Sequence, residues 1–306
     1  MIRLLIVKQR SGPLSARERR WAVRYLILSV LLAVLAWGTL WRAYTPFLHP
    51  LPAGTAAVLP LLHLSASVLL FIRCSTCRYA HMLTVHGIFL ILYYLASAAG
   101  LSMLDDLLPP WTFAACIILL LGIYNALLIG FRGFAFGFST SPARSSSQAF
   151  IRFHHALALP AVILPAWYYP MEHSSFSLIR FGIMALVLLH LGMAGTSLHR
   201  SIWWNTLIEL LLIAMLALSA AYSGYWQVLL VSASILFTCT GLYGLRWSRM
   251  AHMIIQAALI ALLAWYLLTS TMAELWQPFV LPLSVYAAAA VLLAASAVMH
   301  SRNRTT

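Results

Sequence analysis

Apolar residues run in stretches of about twenty along this chain, broken by short polar turns in which arginine recurs. Hydrophobicity does not alternate residue by residue within them, so the pattern predicts helices and not the strands of a barrel. Ten stretches are long enough to cross a bilayer: 22–44, 54–73, 79–103, 110–131, 151–169, 177–198, 202–222, 225–246, 251–270 and 278–299. Each matches roughly 30 Å of hydrocarbon at about 1.5 Å of rise per residue. Pro160 and Pro165 interrupt the fifth, where each removes a backbone hydrogen bond and predicts a kink. The expected fold is all-α, a polytopic transmembrane helical bundle forming one integral membrane domain over residues 1–306. The longest connection expected is 132–148, rich in Gly and Ser, which divides the chain into four plus six helices.

Composition turns this pattern into a class. Hydrophobic residues make up 63% of the chain and charged residues 8%, where a soluble domain carries about 25% charged residues. Lipid is then the expected solvent for so much apolar surface, and in lipid the backbone must satisfy its own hydrogen bonds. The net charge of +13 would suggest nucleic acid in a soluble protein. Here the cations sit at helix ends, where topology and anionic headgroups account for them. The expected partners are the lipid bilayer and anionic headgroups on the cytoplasmic side, with no nucleic acid; no protein partner is specified.

Charge also orients the helices. With the N-terminus inside, seventeen of the nineteen Lys and Arg residues fall on the cytoplasmic side, and only Arg42 and Arg180 fall outside. Asp105, Asp106, Glu172 and Glu274 lie on the outer side. The positive-inside rule then predicts a cytoplasmic basic segment at 1–20, both termini cytoplasmic, and an inner-membrane location. The first apolar run is too long for a signal-peptide core and has no A-x-A site after it, so a retained first helix is expected. Aromatic pairs such as Trp41 and Tyr44, Tyr93 and Tyr94, and Trp167 to Tyr169 mark the outer boundary and suggest an interfacial belt with a structural role.

Ionisable groups at membrane depth are costly and point to function. Glu209 is the one acid well inside a span. It lies about nine residues beyond the turn at His199 and Arg200, and His190 lies as far before it, so both sit about 13 Å from the turn at 1.5 Å per residue. Asn205 is one helical turn from Glu209 and shares its face. Glu209, His190 and Asn205 are therefore candidates for binding a substrate or coupling a proton; the simpler alternative is a hydrogen-bonded clamp between two helices. His63 and His86 flank the turn near Ser75 at similar depth and form a second candidate pair. His81, His154, His155, His199 and His252 are shallow and belong at headgroup level.

Other chemistries are weaker. Cys74 and Cys77 form a C-x-x-C at the inner end of the second span, without a second pair at loop spacing, and face a reducing compartment. Lys8 is the only lysine and lies outside the membrane, which excludes a retinal Schiff base. There is no P-loop, H-E-x-x-H, G-x-S-x-G or desaturase-type histidine cluster. Asp105-Asp106 is a single pair, unlike the doubled aspartate motifs of intramembrane prenyltransferases. No enzyme is indicated, and no cofactor is required.

Helices opening Arg-x-x-His (Arg78 to His81, Arg152 to His155, Arg249 to His252), with His190 followed by His199, resemble those of transmembrane b-type cytochromes. That resemblance covers only these short stretches. It implies haem b, for which His63, His86 and His190 are the candidate ligands. In size and topology the chain also resembles ten-helix drug/metabolite transporters, although it is poor in Gly and shows no clear five-plus-five repeat. Three functions follow as expectations: a small-molecule transporter or permease with an intramembrane polar site, a non-catalytic membrane subunit or sensor acting through partners, and a b-type haem or other membrane redox protein.

Overall fold

The computed structural model describes residues 15–40, 58–73, 78–98, 111–133, 150, 154–171, 177–193, 196–198, 201–223, 226–240, 242, 248–272 and 274–302. Among the described residues there are ten helices: α1 (Ala16–Leu40), α2 (Val58–Arg73), α3 (Arg78–Ala98), α4 (Trp111–Arg132), α5 (His154–Met171), α6 (Ser177–Gly192), α7 (Ile202–Ser223), α8 (Trp226–Cys239), α9 (Arg249–Thr269) and α10 (Gln277–Arg302). The protein is an all-helical bundle. Four stretches are long and apolar enough to cross a membrane: Tyr79–Ala96, Thr112–Ile129, Arg249–Thr269 and Gln277–Val298. Five further apolar helices are shorter among the described residues.

Local sequence explains several helix ends. α1 begins at Ala16, earlier than its apolar run, because Ser15 and Glu18 form a reciprocal capping box. The Ser15 amide donates to the Glu18 carboxylate at 2.6 Å, and the Glu18 amide donates to the Ser15 hydroxyl at 3.2 Å. Ser248 caps α9 in the same sense, its hydroxyl accepting from the Ala251 amide at 3.2 Å. The turn after α9 is closed by the Glu274 carboxylate, which accepts from the Thr271 amide at 3.0 Å and is held below the usual carboxylate range by that bond. The Tyr266 hydroxyl donates to the Glu274 carbonyl at 3.1 Å. α5 continues through Pro160 and Pro165 as one helix from His154 to Met171, and α10 runs through Pro282.

The helices gather into two compact units that interleave in sequence. The first takes Met1–Cys116 and His155–Arg200, and the second takes Ile117–His154 and Ser201–Thr306. Five helices thus fall in each, with α4 in the second unit from Ile117 onward and α5 in the first from His155 onward. The grouping is not a cut at 132–148, the stretch that lies past Gly133 outside the described residues.

In the first unit α3 packs against α1, α2 and α6, and α1 also packs against α6. Gly192 makes the α3–α6 approach close, since a Cβ there would lie 2.7 Å from Leu83 Cδ2 and 3.3 Å from His86 Cδ2. In the second unit α8 packs against α7, α9 and α10. Gly122 of α4 meets α10 so tightly that a Cβ would lie 2.7 Å from that of Ala288 and 3.3 Å from the Ala289 amide nitrogen. Small residues at crossings are what membrane helices use to bring backbones together.

Two helices bury polar side chains while leaving large apolar ones exposed. On α2 His63 and Ser67 are fully buried, while Leu61 is 60% exposed and Leu62 and Leu69 are comparably open. On α7 Asn205, Thr206 and Glu209 are buried, while Trp203, Leu207 and Leu210 are exposed. On these two helices polar groups are buried alongside apolar ones such as Ile208 and Leu212, while several leucines stay exposed, as suits apolar surroundings.

Candidate functional site

The first unit encloses a connected set of polar side chains. α2 is nearly all apolar, and its inner face carries Pro60, His63 and Ser67 at helical spacing. α3 faces it with His86, Leu90 and Tyr93, three or four residues apart and all buried. This register brings His63 Nε2 to 2.8 Å from His86 Nδ1 and His63 Nδ1 to 2.6 Å from the Tyr93 hydroxyl. His63 is thus bonded at both ring nitrogens, and the three groups form one unbranched chain.

Aromatic rings and close backbones fix this chain. Phe89 stacks on the His63 imidazole with centroids 4.4 Å apart and planes 3° from parallel. Trp167 of α5 covers Tyr93 with ring centroids 5.0 Å apart. The bare Cα of Gly192 lies beside the His86 ring. At the far end of the chain His86 Nε2 is buried and has no hydrogen-bond partner, and neither has the buried Ser67 hydroxyl one turn from His63. An unmet buried polar group costs about 1–3 kcal/mol, so each marks a place that a water molecule or ligand would satisfy.

Each imidazole in such a chain can hold its proton on either nitrogen. In one arrangement the Tyr93 hydroxyl donates to His63 Nδ1, and His63 Nε2 donates to His86 Nδ1. In the other, His86 Nδ1 donates to His63 Nε2, and His63 Nδ1 donates to the Tyr93 oxygen. Both satisfy the same two contacts, and they differ in whether His86 Nε2 carries a hydrogen.

Glu209, His190 and Asn205 are all buried. Glu209 and Asn205 lie one turn apart on α7 in the second unit, and the Asn205 side-chain amide donates to the Ser201 carbonyl at 2.9 Å. His190 lies on α6 in the first unit. Their equal depth about the intervening turn remains a property of the sequence. Of the shallow histidines, His81 is exposed, His252 is half-buried, and His154 is buried beside Phe150 with ring centroids 6.0 Å apart. His199 and the Cys74–Cys77 motif lie outside the described residues, as does the side chain of His155. Cys116 and Cys239 are free thiols, each half-buried.

Tyr93 and Trp167, expected in the outer aromatic belt, pack inside the first unit. Both are buried, Tyr93 as the end of the polar chain and Trp167 as its cover. The spacing from His86 to Tyr93 is seven residues, two helical turns on one face, and that is the signal that could have placed Tyr93 beside the histidines.

The histidine pair was weighed as haem ligands. Two axial imidazoles bind iron from opposite faces of the porphyrin. His63 and His86 instead bond directly to one another, and the second nitrogen of His63 is taken by Tyr93, so the pair does not straddle a haem. Among the described residues no group of three or more His, Cys, Asp or Glu side chains is gathered to hold a metal ion. No protein-family model, curated protein or solved structure matches the chain.

Proposed function

We propose that the chain is a small-molecule transporter or permease of an inner membrane, crossing it ten times with both termini cytoplasmic. The observation that carries the reading is the buried His63–His86–Tyr93 chain inside helices whose outer faces are apolar. Ionisable side chains in such a setting are expensive to keep and usually line the path of a substrate or ion. The partition of basic residues supports the orientation. In the second unit Glu209, Asn205 and Thr206 form a further buried polar face on α7, where Glu209 and Asn205 are candidates for substrate binding or proton coupling.

The test is electrical. The purified protein is reconstituted in vesicles on a solid-supported membrane and exposed by rapid exchange to organic cations, amino acids and organic anions in turn. A saturable charge displacement is expected for one of these classes and should be lost in His63→Ala. No displacement for any class, in protein shown to be inserted, overturns the reading.

A further inference from the structure

We propose that Tyr93, His63 and His86 form a proton relay through the first unit, with His86 Nε2 as its inner port. The inference rests on the transport reading and names the proton as the ion carried, whether or not a solute moves with it.

Three observations carry it. The chain is continuous, with contacts of 2.6 Å and 2.8 Å at the two nitrogens of one imidazole. A proton can therefore enter one side of the His63 ring and leave from the other. The chain is also directional. Tyr93 lies seven residues beyond His86 on α3, about 10 Å further along the helix axis at 1.5 Å per residue, and His63 bridges the gap from α2. Finally, the inner end is unsatisfied. His86 Nε2 is buried without a partner, and so is Ser67, which lies on the inner side of His63 along α2. A relay needs such an unsatisfied terminus, whereas a structural clamp would close it.

The transfer balances in atoms and charge. The chain begins with hydrogens on His86 Nδ1 and His63 Nδ1 and a bare His86 Nε2. A proton arriving by water binds His86 Nε2, and His86 gives its Nδ1 hydrogen to His63 Nε2. His63 passes its Nδ1 hydrogen to the Tyr93 oxygen, and the original Tyr93 hydroxyl hydrogen departs on the outer side to a water admitted past Trp167, which covers Tyr93. One proton enters, one leaves, and all three side chains end neutral. The imidazoles then hold their hydrogens on Nε2, and return of the tautomers resets the chain. Phe89, stacked on His63, and Gly192, which allows α6 to close over His86, keep the rings in register.

The experiment measures protons and needs no solute. Full-length protein is reconstituted in phosphatidylcholine vesicles containing pyranine, and a valinomycin-induced potassium potential, negative inside, draws protons inward. Internal acidification is expected to be clearly faster than in protein-free vesicles. Leu268→Ala, exposed on α9 in the second unit, should leave that rate unchanged. His63→Gln keeps a donor and an acceptor on the side chain but cannot pass a proton through a ring, so it should insert normally and fall to the protein-free rate. Tyr93→Phe should fall with it. Wild-type flux equal to the protein-free rate, or full flux in His63→Gln, overturns the relay. A solute current without proton flux overturns the relay and keeps the transporter, while proton flux without any solute current does the reverse.

Discussion

The hydroxyl of Tyr25 in α1 donates to the backbone carbonyl of Ala185 in α6 across 3.0 Å, and both residues are buried. This bond joins helices 160 residues apart in sequence. It needs no unpaired acceptor, because a helical carbonyl has a second lone pair. Tyr25→Phe keeps the ring and removes only the bond. It should lower stability by about 0.5–1.5 kcal/mol. Heat-induced unfolding of the detergent-solubilised protein would show this as a lower midpoint, and an unchanged midpoint would show that the bond contributes nothing.

Gly122 provides the matching test in the second unit. A methyl group there meets the Ala288 Cβ at 2.7 Å, and neither that group nor the α10 backbone behind it can swing aside. Gly122→Ala should therefore destabilise by about 1–3 kcal/mol, as overpacked sites do, despite the better helix propensity of alanine. Gly122→Leu should prevent the α4–α10 crossing and reduce accumulation in the membrane. If Gly122→Ala raises the unfolding midpoint, propensity outweighs the crossing and the close packing is not needed.

Glu209 separates a transport role from a packing one. It is buried on α7 between exposed Leu207 and Leu210. If Glu209 acts by binding a cation or proton, Glu209→Gln should insert and accumulate normally while the solute current disappears. Glu209→Leu should lose the current and also alter stability, since its neighbours lose a polar partner. Full current in Glu209→Gln would assign the residue to packing alone.

The expected orientation has a direct check. A reporter active only outside the cytoplasm, fused after Thr306, should give no signal, and the same reporter placed next to Asp105 should give a strong one. A strong signal from the C-terminal fusion removes the even number of crossings, and with it the seventeen-to-two partition of basic residues.

Much of the secondary structure is legible in the apolar runs. The segment 202–222 becomes α7 (Ile202–Ser223), and 251–270 becomes α9 (Arg249–Thr269). Hydropathy missed the first six residues of α1 because Arg17, Glu18, Arg19 and Arg20 look like a loop. The Ser15 to Glu18 spacing carried the information that hydropathy did not. Equal distances to one turn place His63 and His86 at similar depth, but their contact also depends on rotation about each helix axis. Tyr93 needed rotation about the axis as well as depth, and a lone tyrosine near a span end suits the interfacial belt equally well. The interleaving of the units was not legible at all. It depends on which helix faces touch, and helices that are apolar all round leave no stripe to reveal their partners.

That interleaving has a consequence for synthesis. α4 emerges from the ribosome well before α10, whose Ala288 and Ala289 it packs against, and before the other helices of its own unit. Until those arrive, its stretch from Ile117 onward lacks the helices it finally packs against. It is the most apolar of the four long spans, and its backbone is satisfied without any partner. The composition of α4 thus reads as provision for a waiting period, and its final burial as the end of that wait. Slowed translation between residues 200 and 290 should be tolerated by a helix of this kind, whereas a charge introduced at Leu120 or Leu121 would expose the nascent chain to quality-control proteolysis during the delay.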